Sequence, residues 1–276
     1  MRLRILLIVC FFSLLYSCSK EKISYEPVQK VDAYEVYKEA FLAFEKNDFT
    51  YASKKFSEAE INFTDPRLAA KSAIMASFCL YSVNFYIQAE ENLDRFLINY
   101  PADQNVIYAN YLKAIISFEQ IGEEKYDLEP LLEAKKKINF FLKKYPDSEY
   151  AIDLNFKKDL VENQFAAKEL FIAKYYISVQ KWVPAINRLK IIVNNHDKTI
   201  FIEEALHRLV EIHYHIGLKK EAKKYASILG YNYNTSEWFE QSYKLLNKDY
   251  EKVLKLEKKE NEKNLFMKII NKIKLK

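Results

Sequence analysis

The chain has 276 residues, of which 50% are hydrophobic and 15% aromatic, with only three glycines and six prolines. So few turn-forming residues disfavour a β protein, and the length is enough to bury a sizeable core, so we expect an all-helical protein. The formal net charge is +5. Residues 248–276 alone have a net charge of +5, from ten lysines and five acids, and Arg2 and Arg4 add two more positive charges. Residues 18–247 therefore have a net charge of −2, and nucleic acid is not an expected partner.

Residues 1–17 have the layout of a secretory signal peptide, because two arginines precede an apolar run that is too short to span a bilayer. The run ends in the sequence LYSC at residues 15–18, which resembles the lipobox of bacterial lipoproteins. That resemblance implies that Cys18 is acylated and becomes the mature N-terminus, and that Ser19 favours sorting to the outer membrane. The alternative is an ordinary cleaved signal in which Cys18 is incidental.

Residues 18–32 are polar and contain Pro27, so we interpret them as a flexible leash between the lipid and the folded body. Cys10 lies in the signal peptide and Cys18 is assigned to the lipid, which leaves Cys79 for the folded body. No intramolecular disulfide is therefore expected. Because Cys79 lies in an apolar helical run, we predict that it is a buried small hydrophobic residue rather than a reactive thiol.

Residues 33–247 contain a recurring helical pattern, in which a small residue is followed by apolar residues four and seven positions later. The copies are Ala52-Phe56-Ala59, Ala89-Leu93-Phe96, Ala134-Ile138-Phe141, Ala185-Leu189-Ile192 and Ala222-Ala226-Leu229. The leading alanines are 37, 45, 51 and 37 residues apart, a drifting period near that of tetratricopeptide repeats. We therefore predict an all-α, right-handed superhelical solenoid of five tetratricopeptide helix pairs.

A first helix precedes each of these second helices. The predicted first helices span about 33–46, 68–84, 104–120, 150–178 and 201–216. Pro101 and Pro146 are predicted to end second helices, because a proline cannot continue a helix. The segment 122–130, GEEKYDLEP, is the largest insertion. Gly217 and Gly230 are predicted helix C-caps.

Aromatic residues are concentrated on the first helices of the first three pairs, which line the concave face in tetratricopeptide solenoids. They are Tyr37, Phe41, Phe44, Phe78, Tyr81, Tyr108, Tyr111 and Phe118. Aromatic stripes at helical spacing are usually core, but there are more rings here than packing between repeats should need. We therefore predict a partly exposed aromatic groove that binds extended or helical peptides with aromatic anchors.

Three segments give the chain a more specific likeness. They are KYPDSEYA at residues 144–151, AKYY at 173–176 and WVPAINR at 182–188. Together with the lipobox and the loop at 127–130, these segments resemble the BamD (YfiO) family of outer-membrane assembly lipoproteins over about residues 18–240. The family commonly has a Tyr-Pro turn where this chain has NHD at residues 195–197, so the exact end of the fourth repeat is left open.

The resemblance implies a non-catalytic subunit of the β-barrel assembly machinery, held on the periplasmic face of the outer membrane by its lipid anchor. In that family the N-terminal repeats are thought to receive unfolded barrel proteins, and the C-terminal repeats dock on the periplasmic POTRA domains of the barrel subunit BamA. By position, Asn187 and Arg188 fall in the docking half. Other Bam lipoproteins are further implied partners, and no cofactor is implied. The alternative role for Arg188 is a solvated or intramolecular ion pair.

The end of the chain, residues 248–276, is a basic tail. Within it the segment LFMKIINKIKLK, residues 265–276, places apolar residues on one helical stripe, with lysines mostly elsewhere and no acid. This pattern is typical of a helix lying on an anionic surface. A helix packed on a partner subunit fits equally well, and a disordered terminus is the third alternative.

No catalytic or metal-binding set is recognisable in the sequence. His213 and His215 are two positions apart on a helix and so point to different sides, and His207 lies about a turn and a half earlier. With three glycines there is no phosphate-binding loop. We therefore expect a protein that is not an enzyme. The alternative function is a tetratricopeptide lipoprotein that serves another envelope process, such as coordinating a cell-wall enzyme.

Overall fold

The computed structural model describes residues 32–247. The predicted signal peptide, Cys18 with the leash up to residue 31, and the basic tail lie outside the described residues. Eleven helices and no strand occur in the described range. In chain order the helices are α1 (Ala33–Glu45), α2 (Phe49–Asn62), α3 (Pro66–Ser82), α4 (Tyr86–Asn99), α5 (Val106–Glu119), α6 (Glu129–Lys144), α7 (Tyr150–Ser178), α8 (Trp182–Asn195), α9 (Ile202–His215), α10 (Lys219–Asn232) and α11 (Glu237–Leu246).

Consecutive helices pack on one another along the whole described range, beginning with the hairpin of α1 and α2. The predicted all-helical array of tetratricopeptide type is confirmed. Helix α7 has 29 residues, and its predicted bounds of 150 and 178 are confirmed. Leu154 and Val161 in its first half share a core with α6, whereas Leu170 and Ala173 in its second half share a core with α8. This one helix therefore joins the two halves of the array.

Four of the hairpins turn through the same three-residue connection, whose middle residue has a positive φ. These middle residues are Asn47 (60°), Asn84 (60°), Gln180 (56°) and Gly217 (82°). The next residue donates its backbone N–H to a carbonyl five positions earlier, as Leu218 does to His213 at 2.8 Å. A left-handed residue in this place closes the preceding helix by a Schellman-type cap, and asparagine and glycine tolerate that conformation best. The predicted C-cap at Gly217 is confirmed.

In each of the five hairpins, the second helix ends ten residues beyond its leading alanine. The last residues are Asn62, Asn99, Lys144, Asn195 and Asn232. An aromatic or histidine residue follows each of them and donates its backbone N–H to the carbonyl four residues earlier. Pro101 and Pro146 lie one position further on and end their helices as predicted. His196 holds the same C-cap position without a following proline, so the boundary that the sequence left open is in register with the others.

The repeated pattern forms the core. The leading alanines and the residues seven positions after them are fully buried in every copy. The residue four positions after the alanine is fully buried in four copies, but Ala226 is only half-buried and Tyr225 is buried beside it. Methyl-sized residues let the helix backbones approach closely, and the larger side chains fill the space to the next hairpin. Cys79 is fully buried, as predicted, and burial raises the pKa of its thiol to about 12.

Helix α11 is an element that the sequence analysis did not separate from the last hairpin. Ser236 caps it by accepting a hydrogen bond from the backbone N–H of Phe239 at 3.1 Å, and Glu237 lies in its first turn. The helix packs on α9 and α10, where Trp238 and Phe239 lie against the core. It therefore covers the side of the last hairpin that would otherwise face solvent.

The prediction that Gly230 is a helix C-cap is wrong, because α10 continues to Asn232. A Cβ atom at residue 230 would lie 2.8 Å from Cε2 of Phe239. The absence of a side chain at this position is what allows α11 to pack closely on α10. Within residues 32–247, no helix has the length and apolar character needed to cross a bilayer.

Candidate partner-binding surfaces

Aromatic rings of α1, α3 and α4 form a continuous row, which we call the aromatic ladder. It runs through Phe41, Phe44, Phe78, Tyr81 and Tyr86, with successive ring centroids 6.1, 6.0, 6.2 and 6.2 Å apart. The rings within α1 and within α3 are three positions apart and so share a helix face. Most of these rings are half-buried, and Phe41 at the open end is 42% exposed.

Where α5 meets the start of α7, Tyr108, Tyr111 and Tyr150 form a second group, which we call the tyrosine cluster. The rings of Tyr111 and Tyr150 stack with centroids 4.6 Å apart, and Tyr108 lies 5.8 Å from Tyr150. The Tyr111 hydroxyl donates a hydrogen bond to Oδ2 of Asp153 at 2.9 Å. Burial raises the pKa of Tyr108 to about 12, and burial and then Asp153 raise the pKa of Tyr111 well above its usual value. Both hydroxyls are therefore harder to ionise than that of an exposed tyrosine.

The ladder and the tyrosine cluster adjoin at Tyr81, which packs against the cores on both sides of α5. Six of the eight residues predicted to line the groove thus lie in these two groups. Tyr37 does not, because its ring contacts Phe56 and Phe63, with centroids 5.3 and 6.0 Å away, near the end of α2. The predicted aromatic surface therefore exists as a geometric feature, with Tyr37 beside it rather than in it.

Phe118 lies apart from the ladder, at an open pocket of about 450 Å³ that Leu160 and Ile200 also line. Nζ of Lys157 lies 5.1 Å from the Phe118 ring centroid and 3.2 Å from Oδ1 of Asp153. Because Asp153 also accepts the bond from Tyr111, it connects this region to the tyrosine cluster.

Two members of the aromatic surface, Tyr86 and Tyr150, were not predicted. Tyr86 is the first residue of α4, and Tyr150 is the first residue of α7. Neither therefore falls on the helical stripe from which the other aromatic residues were predicted. Tyr150 belongs to the segment at residues 144–151 that resembles the family, and that was the signal available in the sequence.

The two residues predicted to dock on a partner, Asn187 and Arg188, lie on α8 in the C-terminal half of the array. Asn187 is exposed, one turn after Val183, which is 68% exposed. Arg188 is half-buried, and its Nη1 donates to both carboxylate oxygens of Glu169 on α7 at 3.1 and 3.2 Å. The side chain of Arg188 is 39% exposed, and within the described range its Nη2 and Nε make no hydrogen bond. The guanidinium is therefore held in place from one side and open from the other.

His207 and His213 are buried in the packing of the last helices, whereas His215 is exposed. Nδ1 of His207 lies 2.8 Å from Oγ of the buried Ser242, and Nδ1 of His213 lies 2.7 Å from the carbonyl oxygen of Leu209. No group of three or more His, Cys, Asp or Glu side chains in residues 32–247 could hold a metal ion.

Comparison with known proteins gives consistent matches. The family model "YfiO: Outer membrane lipoprotein" matches residues 29–229. The outer membrane protein assembly factor BamD of Rickettsia prowazekii is 31% identical over 234 residues, which cover 85% of this chain and 92% of that protein. BamD of Caulobacter vibrioides is 35% identical over 203 residues, which cover 74% of this chain and 67% of that protein.

Among solved structures, that of PilF from Pseudomonas aeruginosa matches with 13% identity and a TM-score of 0.32, covering 76% of this chain and 95% of that chain. A TM-score this low has no bearing on fold or function. The described helices and their surfaces define an all-helical repeat protein of the tetratricopeptide class, with an aromatic surface at one end. The family match spans most of the chain. The chain belongs to the YfiO (BamD) family of outer membrane lipoproteins.

Proposed function

We propose that this protein is a non-catalytic subunit of the machinery that folds β-barrel proteins into the outer membrane, anchored at the periplasmic face by acyl chains on Cys18. The observation on which the proposal rests is the similarity to a protein named as an outer membrane protein assembly factor over 92% of that protein's length. The partly exposed aromatic surface and the open face of Arg188 suit such a role, because both can hold another polypeptide without reacting with it.

The aromatic ladder and the tyrosine cluster receive unfolded outer-membrane proteins in this proposal. Strands of transmembrane barrels alternate apolar and polar residues and have aromatic girdles at both membrane interfaces. An extended segment of such a strand presents rings about 7 Å apart on one side. A row of half-exposed rings about 6 Å apart can bind those side chains without closing around a single sequence.

The C-terminal half docks on the periplasmic POTRA domains of the barrel subunit, through Asn187 and Arg188. The Nη1 bonds to Glu169 fix the guanidinium plane, while Nη2 and Nε remain able to donate to a carboxylate of the partner. Val183 and the aliphatic stem of Arg188 provide apolar contact beside that bond. Other lipoproteins of the machinery are expected on surfaces that these residues do not define.

A pull-down of the full-length, acylated protein from solubilised outer membranes tests the proposal. We expect a large barrel protein with periplasmic domains to be retained, and Arg188→Glu to remove it. The matched control is Arg67→Glu, which reverses an exposed arginine that pairs with Asp65 in the N-terminal half of the array. Retention of a cell-wall enzyme with no barrel protein would show that the chain serves another envelope process, and the proposal would be wrong.

A further inference from the structure

One face of α10 is strongly basic, and we call it the basic face. Its members recur at positions that share one side of a helix, all of them exposed. They are Lys219, Lys220, Lys223, Lys224, Ser227 and Tyr231. Tyr231 is 90% exposed, and Leu218 just before the helix is 50% exposed. The basic face is thus a stripe of four ammonium groups with an apolar group near each end.

The four lysines have no intramolecular role in the described part of the chain, since none of their ammonium groups forms an ion pair or a hydrogen bond there. Some lysines elsewhere do have such a role. Lys135 pairs with Glu162 at 2.8 Å, Lys137 pairs with Glu90 at 2.6 Å, and each of these bonds joins two helices. Within residues 32–247 these four ammonium groups therefore have no acidic partner.

The position of the lysines makes them unfavourable for the helix itself. Lys219 and Lys220 share the first turn of α10 with Glu221, and the helix dipole favours the glutamate there but disfavours the two lysines. The pairs Lys219–Lys223 and Lys220–Lys224 place like charges one turn apart, which also destabilises a helix. Local rules are broken in this way mainly at functional sites, so the basic face is better explained by binding than by folding.

We propose that the basic face lies on an anionic phospholipid surface. Lysine is a flexible point charge suited to a diffuse layer of headgroups, whereas a protein carboxylate is matched better by an arginine fork, and this face has no arginine. Tyrosine and leucine at the ends of the stripe suit the boundary between headgroups and acyl chains. The stripe lies on a single outward-facing helix, so a flat surface can meet all four lysines at once.

The proposal goes beyond the proposed function, because it assigns the C-terminal end of the array to the membrane independently of the barrel subunit. Acyl chains on Cys18 would hold the other end through a leash that can extend about 3.3–3.6 Å per residue. Two attachments to one surface reinforce each other by raising the effective concentration of the second. The array would then lie along the membrane rather than hang from one point.

A dye on the basic face measures this contact in the full-length acylated protein. Ser227→Cys places a thiol at the centre of the stripe, and the buried Cys79 does not compete for the label. The protein is reconstituted into vesicles with a headgroup-attached quencher, and acylation of Cys18 is checked by mass. We expect quenching at least about twofold stronger in vesicles with about 30% phosphatidylglycerol than in zwitterionic vesicles. At about 1 M salt, where the Debye length is about 3 Å, the difference should disappear.

Charge reversal of all four lysines to glutamate should abolish the difference, and the pair Lys220→Glu with Lys224→Glu should reduce it. The matched control reverses Lys46, Lys54, Lys143 and Lys198, four exposed lysines scattered over the rest of the described surface. It changes the net charge equally and should leave the quenching intact. Circular dichroism confirms that each variant is folded.

Equal quenching in both kinds of vesicle would mean that the lipid tether alone brings the dye to the surface, and the proposal would be wrong. It would also be wrong if charge reversal left the quenching unchanged. If the basic face is not quenched by lipid but its reversal removes the barrel protein from the pull-down, the face binds protein instead. The pull-down with Arg188→Glu reports on the proposed function separately.

Discussion

Arg188 on α8 and Glu169 on α7 form an ion pair in which one guanidinium nitrogen contacts both carboxylate oxygens, at 3.1 and 3.2 Å. The two alternatives for Arg188, an intramolecular pair or a docking residue, are therefore not exclusive. The carboxylate of Glu169 orients the guanidinium, and the remaining nitrogens are free to face a partner. Substituting Arg188 and Glu169 one at a time therefore distinguishes the ion pair within the chain from docking on a partner.

Arg188→Ala should weaken binding of the barrel subunit about tenfold or more, because a partner carboxylate loses its charged donor. Glu169→Gln should change binding by a much smaller factor, since the guanidinium remains. Titration calorimetry or surface plasmon resonance with the isolated periplasmic domains of the barrel subunit measures both. If Arg188→Ala and Glu169→Gln lowered the affinity equally, the ion pair within the chain, and not a direct bond from Arg188 to the partner, would be what supports binding.

The contact between Glu60 on α2 and Arg95 on α4 should stabilise the first two hairpins. The Glu60 side chain is 4% exposed and accepts hydrogen bonds from Nη2 of Arg95 at 2.8 Å and from the Tyr100 hydroxyl at 3.1 Å. Arg95→Ala leaves a buried carboxylate short of donors, so the free energy of unfolding should fall by about 1–3 kcal/mol. The lower part of that range is expected because the Arg95 side chain is 41% exposed.

Urea unfolding followed by circular dichroism measures that loss. Arg67→Ala is the control, because it removes an arginine whose side chain is 89% exposed in its pair with Asp65. No measurable change is expected for the control. If Arg67→Ala lowered the free energy of unfolding as much as Arg95→Ala does, burial of Glu60 would not be the cause of the loss.

Stability at acid pH should depend on Glu211. The neighbouring His207 ring, and then the Arg208 guanidinium 2.7 Å away, lower the pKa of Glu211 from 4.5 to about 2. A carboxyl whose pKa is lowered by folding stabilises the fold above its unfolded pKa and loses that effect as the pH falls through the folded value. Glu211→Gln should therefore be less stable than the natural chain at pH 7, and the difference should vanish between about pH 4.5 and pH 2.

Thermal unfolding at a series of pH values tests this dependence. Glu91→Gln is the control, since Glu91 is exposed and has no bonded partner within the described range, and it should leave the pH profile unchanged. A stability difference between Glu211→Gln and the natural chain that persists undiminished at pH 2 would contradict the assignment.

The close approach of α11 to α10 should be sensitive to Gly230. Gly230→Ala places a methyl group 2.8 Å from the Phe239 ring, so that ring must shift, and it is packed against the core beneath α11. Overpacking costs about 1–3 kcal/mol, and the better helix propensity of alanine offsets up to about 1 kcal/mol of it. We expect a net loss of unfolding free energy and faster hydrogen exchange in α11.

Hydrogen exchange measured by mass spectrometry resolves α11 from the rest of the chain. At Gly122 the nearest atom is Cδ2 of the exposed Tyr126 at 3.0 Å, and that ring can move. Gly122→Ala should therefore leave exchange in α11 unchanged. Unaltered exchange in Gly230→Ala would mean that the glycine is not needed for packing.

The helices could be predicted because their determinants are local. The alanine at the start of each pattern fixes which face is buried, and the end of each second helix follows ten residues later. The array could be predicted because one pattern recurs five times. The start of α11 was also marked locally, by Ser236 and Glu237, but without a leading alanine the segment did not match the repeat.

Contacts between helices could not be predicted in the same way. Nothing near Arg188 in the sequence indicates that Glu169, on the preceding helix, is the carboxylate that faces it. Tyr86 and Tyr150 join the aromatic surface because of where their helices begin, which depends on the turns before them. The position of Tyr37 beside the ladder depends on the packing of α2. Each of these contacts is set by the angle between helices, which a helical period does not encode.

Site-specific photocrosslinking tests the central claim, that the aromatic surface receives unfolded barrel proteins, most directly. A photoreactive phenylalanine analogue replaces Phe41, which is 42% exposed at the open end of the ladder, in the acylated protein in living cells. The matched site is Phe140 on α6, which is 52% exposed and lies outside the aromatic surface. The account predicts crosslinks to newly exported outer-membrane proteins from position 41 and none from position 140. Equal crosslinking from both positions, or none from position 41, would contradict it.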